Sequence, residues 1–388
     1  MLIWRRGPWA AAAPLRGPGA YFVVGRLFSR LGDEPAGNEL RFLSVSLLDS
    51  LAPSHQGVGE KLMSAHNDRQ GLSRRNFLRL AAGIAAGALA GRGSVFARPE
   101  GDPPDVVLAR GGRLEERLSA VLRPFGGLSA FVKGGAKVVI KPNAAFAEAP
   151  EAGGNTTPEL VSAVIAACRR AGAASVTLVE HCLSNHGMFS TNDDPSGITQ
   201  AARAAGATVL PTRDVPDLHR PLRVSAPGMN EMAVTAAILD ADVVINLPRL
   251  KTHPGTGYTV CMKNLMGAVS NPGAMHEGGV EVLCQRIACL AHALQPYITL
   301  NIVDGTHLVR DWAAGRPARL TRADILLAGV NMVSVDAIAV TLFDDDPLGH
   351  WTCGWSGNPI EEQYIAYAHR QGWGKGHPSS IRLVRVEL

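Results

Sequence analysis

The chain has 388 residues, a formal net charge of +4 and few aromatic residues. That charge is small for the length, and no long Lys/Arg run crosses the body of the chain, which excludes a nucleic-acid footprint and an acidic tail. A chain this long and this rich in Ala, Gly and Val buries a large core without staples, as a large α/β domain does.

From the N-terminus, residues 1–62 are rich in Arg, Pro, Gly and Ala and carry no sustained period. Ser73-Arg74-Arg75-Asn76-Phe77-Leu78 fits a twin-arginine export signal. The apolar run Leu80–Ala90 follows, too short and too Gly/Ala-rich for a stable membrane span. Val95-Phe96-Ala97 then offers the small residues of a cleavage site before Arg98. Met63 gives a leader of ordinary length, so residues 1–62 read as a mis-called or disordered extension and 63–97 as the signal peptide. The expected destination is the periplasm or another exported location, with the twin-arginine translocase as partner and no stable span in the mature chain.

Within 98–388, short β-branched runs alternate with Ala-rich helical stretches. Asp105–Leu108 predicts a strand, and Leu114–Phe125 a helix closed by Gly126-Gly127. Lys137–Ile140 is a strand, and Thr157 caps a helix from Pro158 to near Gly172. Strands follow at Ser175–Val179 and Ala207–Leu210, around a helix at Gly197–Ala205. Glu231–Val234 predicts a short strand before a helix at Thr235–Leu239, and Val243–Ile245 a buried strand. Val280–Leu294 is a helix, Ile298–Val303 and Ile325–Leu327 are strands, and Val335–Phe343 and Glu361–Arg370 are helices. Ile381–Val386 is a closing strand. Thr212–Asn230 and Pro248–Gly279 are dense in turn formers and predict loops or insertions. The alternation predicts an α/β fold, a mostly parallel Rossmann-like sheet with helices on both faces, in one compact unit with at most two lobes.

Ligands of such sheets bind outside the carboxyl ends of the strands. The segments expected there carry Lys141, Asn143, Glu180, His181, Asn246, Lys251, His253, Asp304, His307 and Asn331. Lys supplies positive charge and Asn both donor and acceptor, a set suited to a small anionic ligand, carboxylate or phosphate. The densest segment, Asn246–His276, adds Lys263, Asn264 and His276 among Gly255, Gly257, Gly267 and Gly273. Two lysines near one ligand depress each other's charging, which suits a base or a Schiff-base amine. A solvated basic loop is the plainer alternative. Gly153–Thr157 precedes a helix as an anion cradle or a simple cap. Nucleotide-cradle, hydrolase-elbow and H-E-x-x-H patterns do not occur. Cys168, Cys182, Cys261, Cys284, Cys289 and Cys353 form no C-x-x-C and read as small buried residues or loop thiols. His181 and His186, with Cys182, leave a metal open beside a plain loop reading, and Trp351, Trp355 and Trp373 line a wall or pack a loop.

Lys141-Pro142-Asn143, Asn155-Thr156-Thr157-Pro158, Asn246–His253, Lys263–Gly267 and Asn331–Ala339 with Asp336, in that order, resemble the domain of unknown function 362 family. The resemblance covers about residues 105–345. Many members of that family look like iron–sulfur proteins through an added ferredoxin-like module, whose C-x-x-C-x-x-C runs do not occur here. A distant fold similarity to nickel-dependent racemases would imply acid–base or hydride chemistry on a small hydroxy acid, without a residue match.

Two functions stay open. In an enzyme, Lys251, His253 and Lys263 would be catalytic, with Lys141, Asn143, Asn246, Asn264, Glu180, Asp304 and His276 around the substrate and no metal. The alternative is a cofactor- or metal-carrying accessory protein; the sequence names no cofactor.

Overall fold

A computed structural model describes residues 102–183, 194–312, 318–343 and 364–388, which lie within Gly93–Leu388, one of the two units into which the chain divides. The export segment, His186, Cys353, Trp351 and Trp355 lie outside the described residues.

The strands are β1 (Val106–Arg110), β2 (Lys137–Pro142), β3 (Ser175–Glu180), β4 (Thr208–Pro211), β5 (His219–Ala226), β6 (Met229–Thr235), β7 (Val243–Leu247), β8 (Arg249–His253), β9 (Gly257–Thr259), β10 (Leu300–Arg310), β11 (Arg319–Gly329) and β12 (Leu383–Glu387). The helices are α1 (Leu114–Leu122), α2 (Pro158–Arg170), α3 (Ile198–Ala204), α4 (Ala236–Asp240), α5 (Cys261–Asn264), α6 (Gly279–Leu294), α7 (Met332–Thr341) and α8 (Tyr364–Arg370).

Ten strands form one sheet in the order β12-β1-β11-β10-β7-β2-β3-β4, with β8 on β10 and β9 on β8. Pairing is parallel from β10 through β7, β2 and β3 to β4, and antiparallel only around β11 and between β8 and β9. The sheet is thus mostly parallel and the fold α/β, as expected.

Alternation along each strand divides the core in two. Val138 and Ile140 join a cluster with α1, α2 and α3, including Leu118, Leu160, Ile165 and Ile198. Val139 and Val244 face a second cluster built by α5, α6, α7 and α8, including Met262, Leu283, Ile287 and Ile338. Burial on both faces explains why these strands read as unbroken apolar runs. Each fully buried aliphatic side chain contributes about 1.5–3 kcal/mol.

Three expectations need correction. Thr212–Asn230 is not a loop: β5 and β6 pair as a hairpin turned at Gly228, whose φ is +69°. Its exposed, polar-rich β5, interrupted by Pro221, hides the strand signal. Pro248–Gly279 is likewise not one loop. β8 follows β7 almost without a break and pairs with the far half of β10, and β9 pairs with β8. Finally, β10 extends through Asp304 and His307 to Arg310, with an irregularity between Gly305 and His307, so these residues lie within a strand. The result is a small extension of the sheet beyond the carboxyl ends of β2 and β7.

Candidate functional site

The register aligns three polar residues across the centre of the sheet. Asn301 in β10 stands opposite Asn246 in β7, which stands opposite Lys141 in β2. All three have no solvent exposure. Helix α5 lies against this row. Its N-terminus is fixed by Asp336 of α7, whose carboxylate accepts from the N–H groups of Cys261 (2.7 Å) and Met262 (3.0 Å). Burial raises the Asp336 pKa to about 7 against those two hydrogen bonds. Helix α5 thereby presents Asn264 to the sheet.

The asparagines form a one-way chain. Lys251 Nζ donates to Asn143 Oδ1 (3.1 Å), Asn143 Nδ2 to Asn264 Oδ1 (3.0 Å), Asn264 Nδ2 to Asn246 Oδ1 (2.8 Å), and Asn246 Nδ2 to Asn301 Oδ1 (2.9 Å). Asn301 Nδ2 ends it on the carbonyls of Gly329 (3.1 Å) and Val330 (3.2 Å). A lysine amine at one end and backbone carbonyls at the other leave each amide one orientation. A buried polar network satisfied in this way is rigid.

Strand β8 explains how Lys251 arrives there. Side chains alternate across a strand, so Arg249, Lys251 and His253 share one face while Leu250 joins the core on the other. Lys251 is 1% exposed. Its Nζ also donates to the carbonyl of Gly154 and lies 3.8 Å from the Trp312 ring centroid and 4.9 Å from that of Phe146. Those rings pack on each other at 4.5 Å, and Trp312 Nε1 donates to Glu148 (3.4 Å). Burial, and then the charge of Lys263, push the Lys251 amine well below the ordinary lysine range, outweighing the opposite pull of Glu148.

Around Lys251 the basic groups step outward. His253 and Lys263 are half-buried and His276 is exposed. His253 Nδ1 accepts from the N–H groups of Gly255 (3.1 Å) and Thr256 (3.2 Å), which places the ring proton of the neutral form on Nε2. Burial, with Lys263, Lys251 and His276 nearby, lowers its pKa to about 2. Burial lowers Lys263 to about 8, and its polar contact is the Met266 sulfur at 3.8 Å. Burial and Lys263 lower His276 too. Among the described residues, none of these four basic groups forms an ion pair with a carboxylate.

Other expected site residues serve the framework. Lys141 Nζ binds Glu180 Oε2 and its neighbour's carbonyl, Pro142 O, both at 2.7 Å. Glu180 also accepts from the N–H groups of Ala144 and His181. Burial pushes the amine down and the carboxyl up, and each partner's charge opposes that. Gly267 seals the pair, since a Cβ there would lie 1.9 Å from Glu180 Oε1. Asp304 pairs with buried Arg249 at 2.9 Å and accepts from the N–H of Thr157 (2.8 Å). Burial raises its pKa, but Arg249 and the N–H groups of Thr157 and Thr306 outweigh this and hold it low. The Gly153–Thr157 turn is therefore a helix start tied to Asp304, with the Thr157 side chain forming no cap bond. Asn331 follows antiparallel β11 and so sits at the opposite rim, where it caps α7. Trp373 stacks on His292 at 4.2 Å, packing a loop onto a helix.

Sequence reasoning missed Asn301, Phe146 and Trp312. Asn301 carried a usable signal, an amide between Leu300 and Ile302 in a buried strand, whereas Phe146 stands in an Ala-rich loop and Trp312 just past a strand end, with no pattern to mark them. Among the described residues, no group of three His, Cys, Asp or Glu side chains is placed to hold a metal. The five described cysteines are buried, and burial raises each thiol pKa. An iron–sulfur cluster does not fit these residues.

Comparison with known proteins follows the same span. Residues 138–341 match the model of a domain of unknown function, number 362, and contain all of the groups described above from Lys141 to Asp336. The chain is 28% identical over 251 residues to a thylakoid-associated protein of Synechocystis sp. (strain ATCC 27184 / PCC 6803 / Kazusa), covering 61% of this chain and 72% of that protein. Similar solved structures include a Thermotoga maritima protein, at 11% identity and a TM-score of 0.40, covering 59% of this chain and 58% of that one. The lactate racemase apoprotein from Thermoanaerobacterium thermosaccharolyticum is similar at 12% identity and a TM-score of 0.40, covering 62% of this chain and 57% of that one. The chain spans a little over half the length of these two structures. By the match over residues 138–341, more than half its length, the chain belongs to the domain of unknown function 362 family.

Proposed function

We propose that this protein is an exported enzyme that binds a small oxyanion, carboxylate or phosphate, at Lys263, His253 and His276, and moves a proton through Lys251. The observation that carries this reading is the basic group Lys251, His253, Lys263 and His276, which has no carboxylate ion pair among the described residues. Charging these groups side by side in a half-buried place is unfavourable, which holds their pKa values down, and a bound anion relieves that cost. Exposed His276 meets the ligand first; Lys263 supplies a charged amine below about pH 8, and His253 offers its Nε2–H. Lys251 lies beneath them. A neutral amine has two N–H groups, and Asn143 Oδ1 and Gly154 O accept two, leaving a lone pair to take a proton from the ligand. Lys141 and Asp304 are too deeply paired for direct binding in this scheme, and with Asn246, Asn264 and Glu180 they hold the site's shape.

Calorimetric titration with inorganic phosphate and with acetate tests the reading. At pH 7, wild type should bind at least one of them saturably, and Lys263→Met should weaken that binding by about tenfold or more, the loss of one charge-assisted contact. Wild-type protein that binds neither probe contradicts it. Export rests on Ser73–Leu78 and the apolar run after it. Replacing Arg74 and Arg75 by Lys should leave uncleaved precursor in the cytoplasm; unchanged export would refute that part.

A further inference from the structure

The β8–β9 pair holds one polar group that neither the asparagine chain nor the basic cluster accounts for. Thr259 is 3% exposed, and its hydroxyl has no hydrogen-bond partner. Register places Thr259 directly opposite Lys251, as Gly257 stands opposite His253. Residues opposite each other in an antiparallel pair project to the same face. The Thr259 hydroxyl therefore lies on the face that carries Lys251 and His253, two residues before α5 and four before Lys263. Tyr258, between these positions, turns to the other face and joins the core against Phe343, with ring centroids 5.4 Å apart.

Buried hydroxyls nearly always find a partner, and leaving one orphaned is costly. Nearby polar groups are already engaged. Thr256 Oγ1 donates to Tyr258 O, the N–H of Asp311 donates to Thr252 Oγ1, and the N–H groups of Cys261 and Met262 go to Asp336. On this face Arg249 is committed to its ion pair with Asp304, so the β9 hydroxyl stands with the His253 Nε2–H as a group left with hydrogen-bonding capacity and no internal use.

We infer that Thr259 is a specificity-determining residue of the same site, its hydroxyl donating to an oxygen of the bound oxyanion beside Lys251. This rests on the oxyanion reading proposed above. Lys263 and His253 approach the ligand from α5 and the end of β8, and Thr259 adds a neutral donor at the bottom. A ligand with an oxygen that reaches that depth gains a hydrogen bond, and one without it leaves the hydroxyl orphaned. Sites built to hydrogen-bond a ligand discriminate strongly for this reason.

The test uses the full exported chain with Thr259→Val, which keeps the shape and removes the hydroxyl, and Thr259→Ser, which keeps the hydroxyl. Inorganic phosphate is the probe at pH 7, with acetate in parallel. The expected result is an affinity for the better-bound anion about tenfold weaker in Thr259→Val and within about twofold of wild type in Thr259→Ser. Without added anion, Thr259→Val should melt at the wild-type temperature or above it. Wild-type affinity in Thr259→Val overturns the inference and leaves the oxyanion site standing. So does a Thr259→Val melting temperature several degrees below that of Thr259→Ser, because the hydroxyl then has an internal partner. Failure of wild type to bind either anion removes both readings.

Discussion

Lys141 and Lys251 are both buried lysines at the same end of the sheet, yet their surroundings are opposite. Lys141 faces Glu180 at 2.7 Å, and that carboxylate collects two backbone N–H groups as well. Lys251 faces an amide oxygen, a carbonyl and two aromatic rings, and the strongest charge acting on it is that of another lysine. A charge balanced inside the fold locks β2 to β3. An amine with no carboxylate partner among the described residues is pushed toward its neutral form and is free to take a proton. Residue type alone does not separate the two roles; the partner does.

The largest effect that would sharpen this contrast is on stability. Glu180→Gln leaves Lys141 buried without its counter-ion and should cost about 3–5 kcal/mol in urea unfolding. Lys251→Met orphans two acceptors but leaves no unpaired charge and should cost about 1–3 kcal/mol. Equal losses would erase the distinction. Next in size, Asn264→Leu interrupts the asparagine chain. It takes the donor from Asn246 Oδ1 and the acceptor from Asn143 Nδ2, at about 1–3 kcal/mol for each orphaned group. Asn331→Ala, which removes a cap at the opposite rim, should cost about 1 kcal/mol and leave anion affinity unchanged. On affinity rather than stability, the expected effect is a pH dependence. With Lys263 lowered to about 8, sulfate affinity should be level near pH 7 and fall above pH 8 by up to about tenfold per unit, as the amine loses its proton. Lys263→Met should flatten that slope, and a wild-type midpoint at the ordinary lysine value would place Lys263 in solvent.

Much of the fold was readable because the interior strands are short, β-branched and buried on both faces, which leaves few alternatives for Lys137–Ile140 or Val243–Ile245. Of the β5–β6 hairpin, β6 was anticipated at Glu231–Val234, but β5 was not, because its exposed polar residues and Pro221 mask the strand pattern. At the candidate site, that Lys251, Asn264 and Asn246 lie close together was legible from their clustering in one glycine-rich segment. Their division of labour was not. Whether a lysine meets a glutamate or an asparagine depends on register across strands far apart in sequence, as Lys141 opposite Asn246 opposite Asn301 illustrates. Thr259 was invisible for the same reason, being defined by what stands across from it.

The most direct measurement is an NMR titration of the lysine side chains, labelled at Cε, in the purified protein. Lys263 should titrate with a midpoint near 8 and Lys251 well below the ordinary lysine value, and both should move upward when sulfate is added. Midpoints near 10.5 for both, unmoved by sulfate, would show that these amines carry their charge without strain, and the anion site would be contradicted.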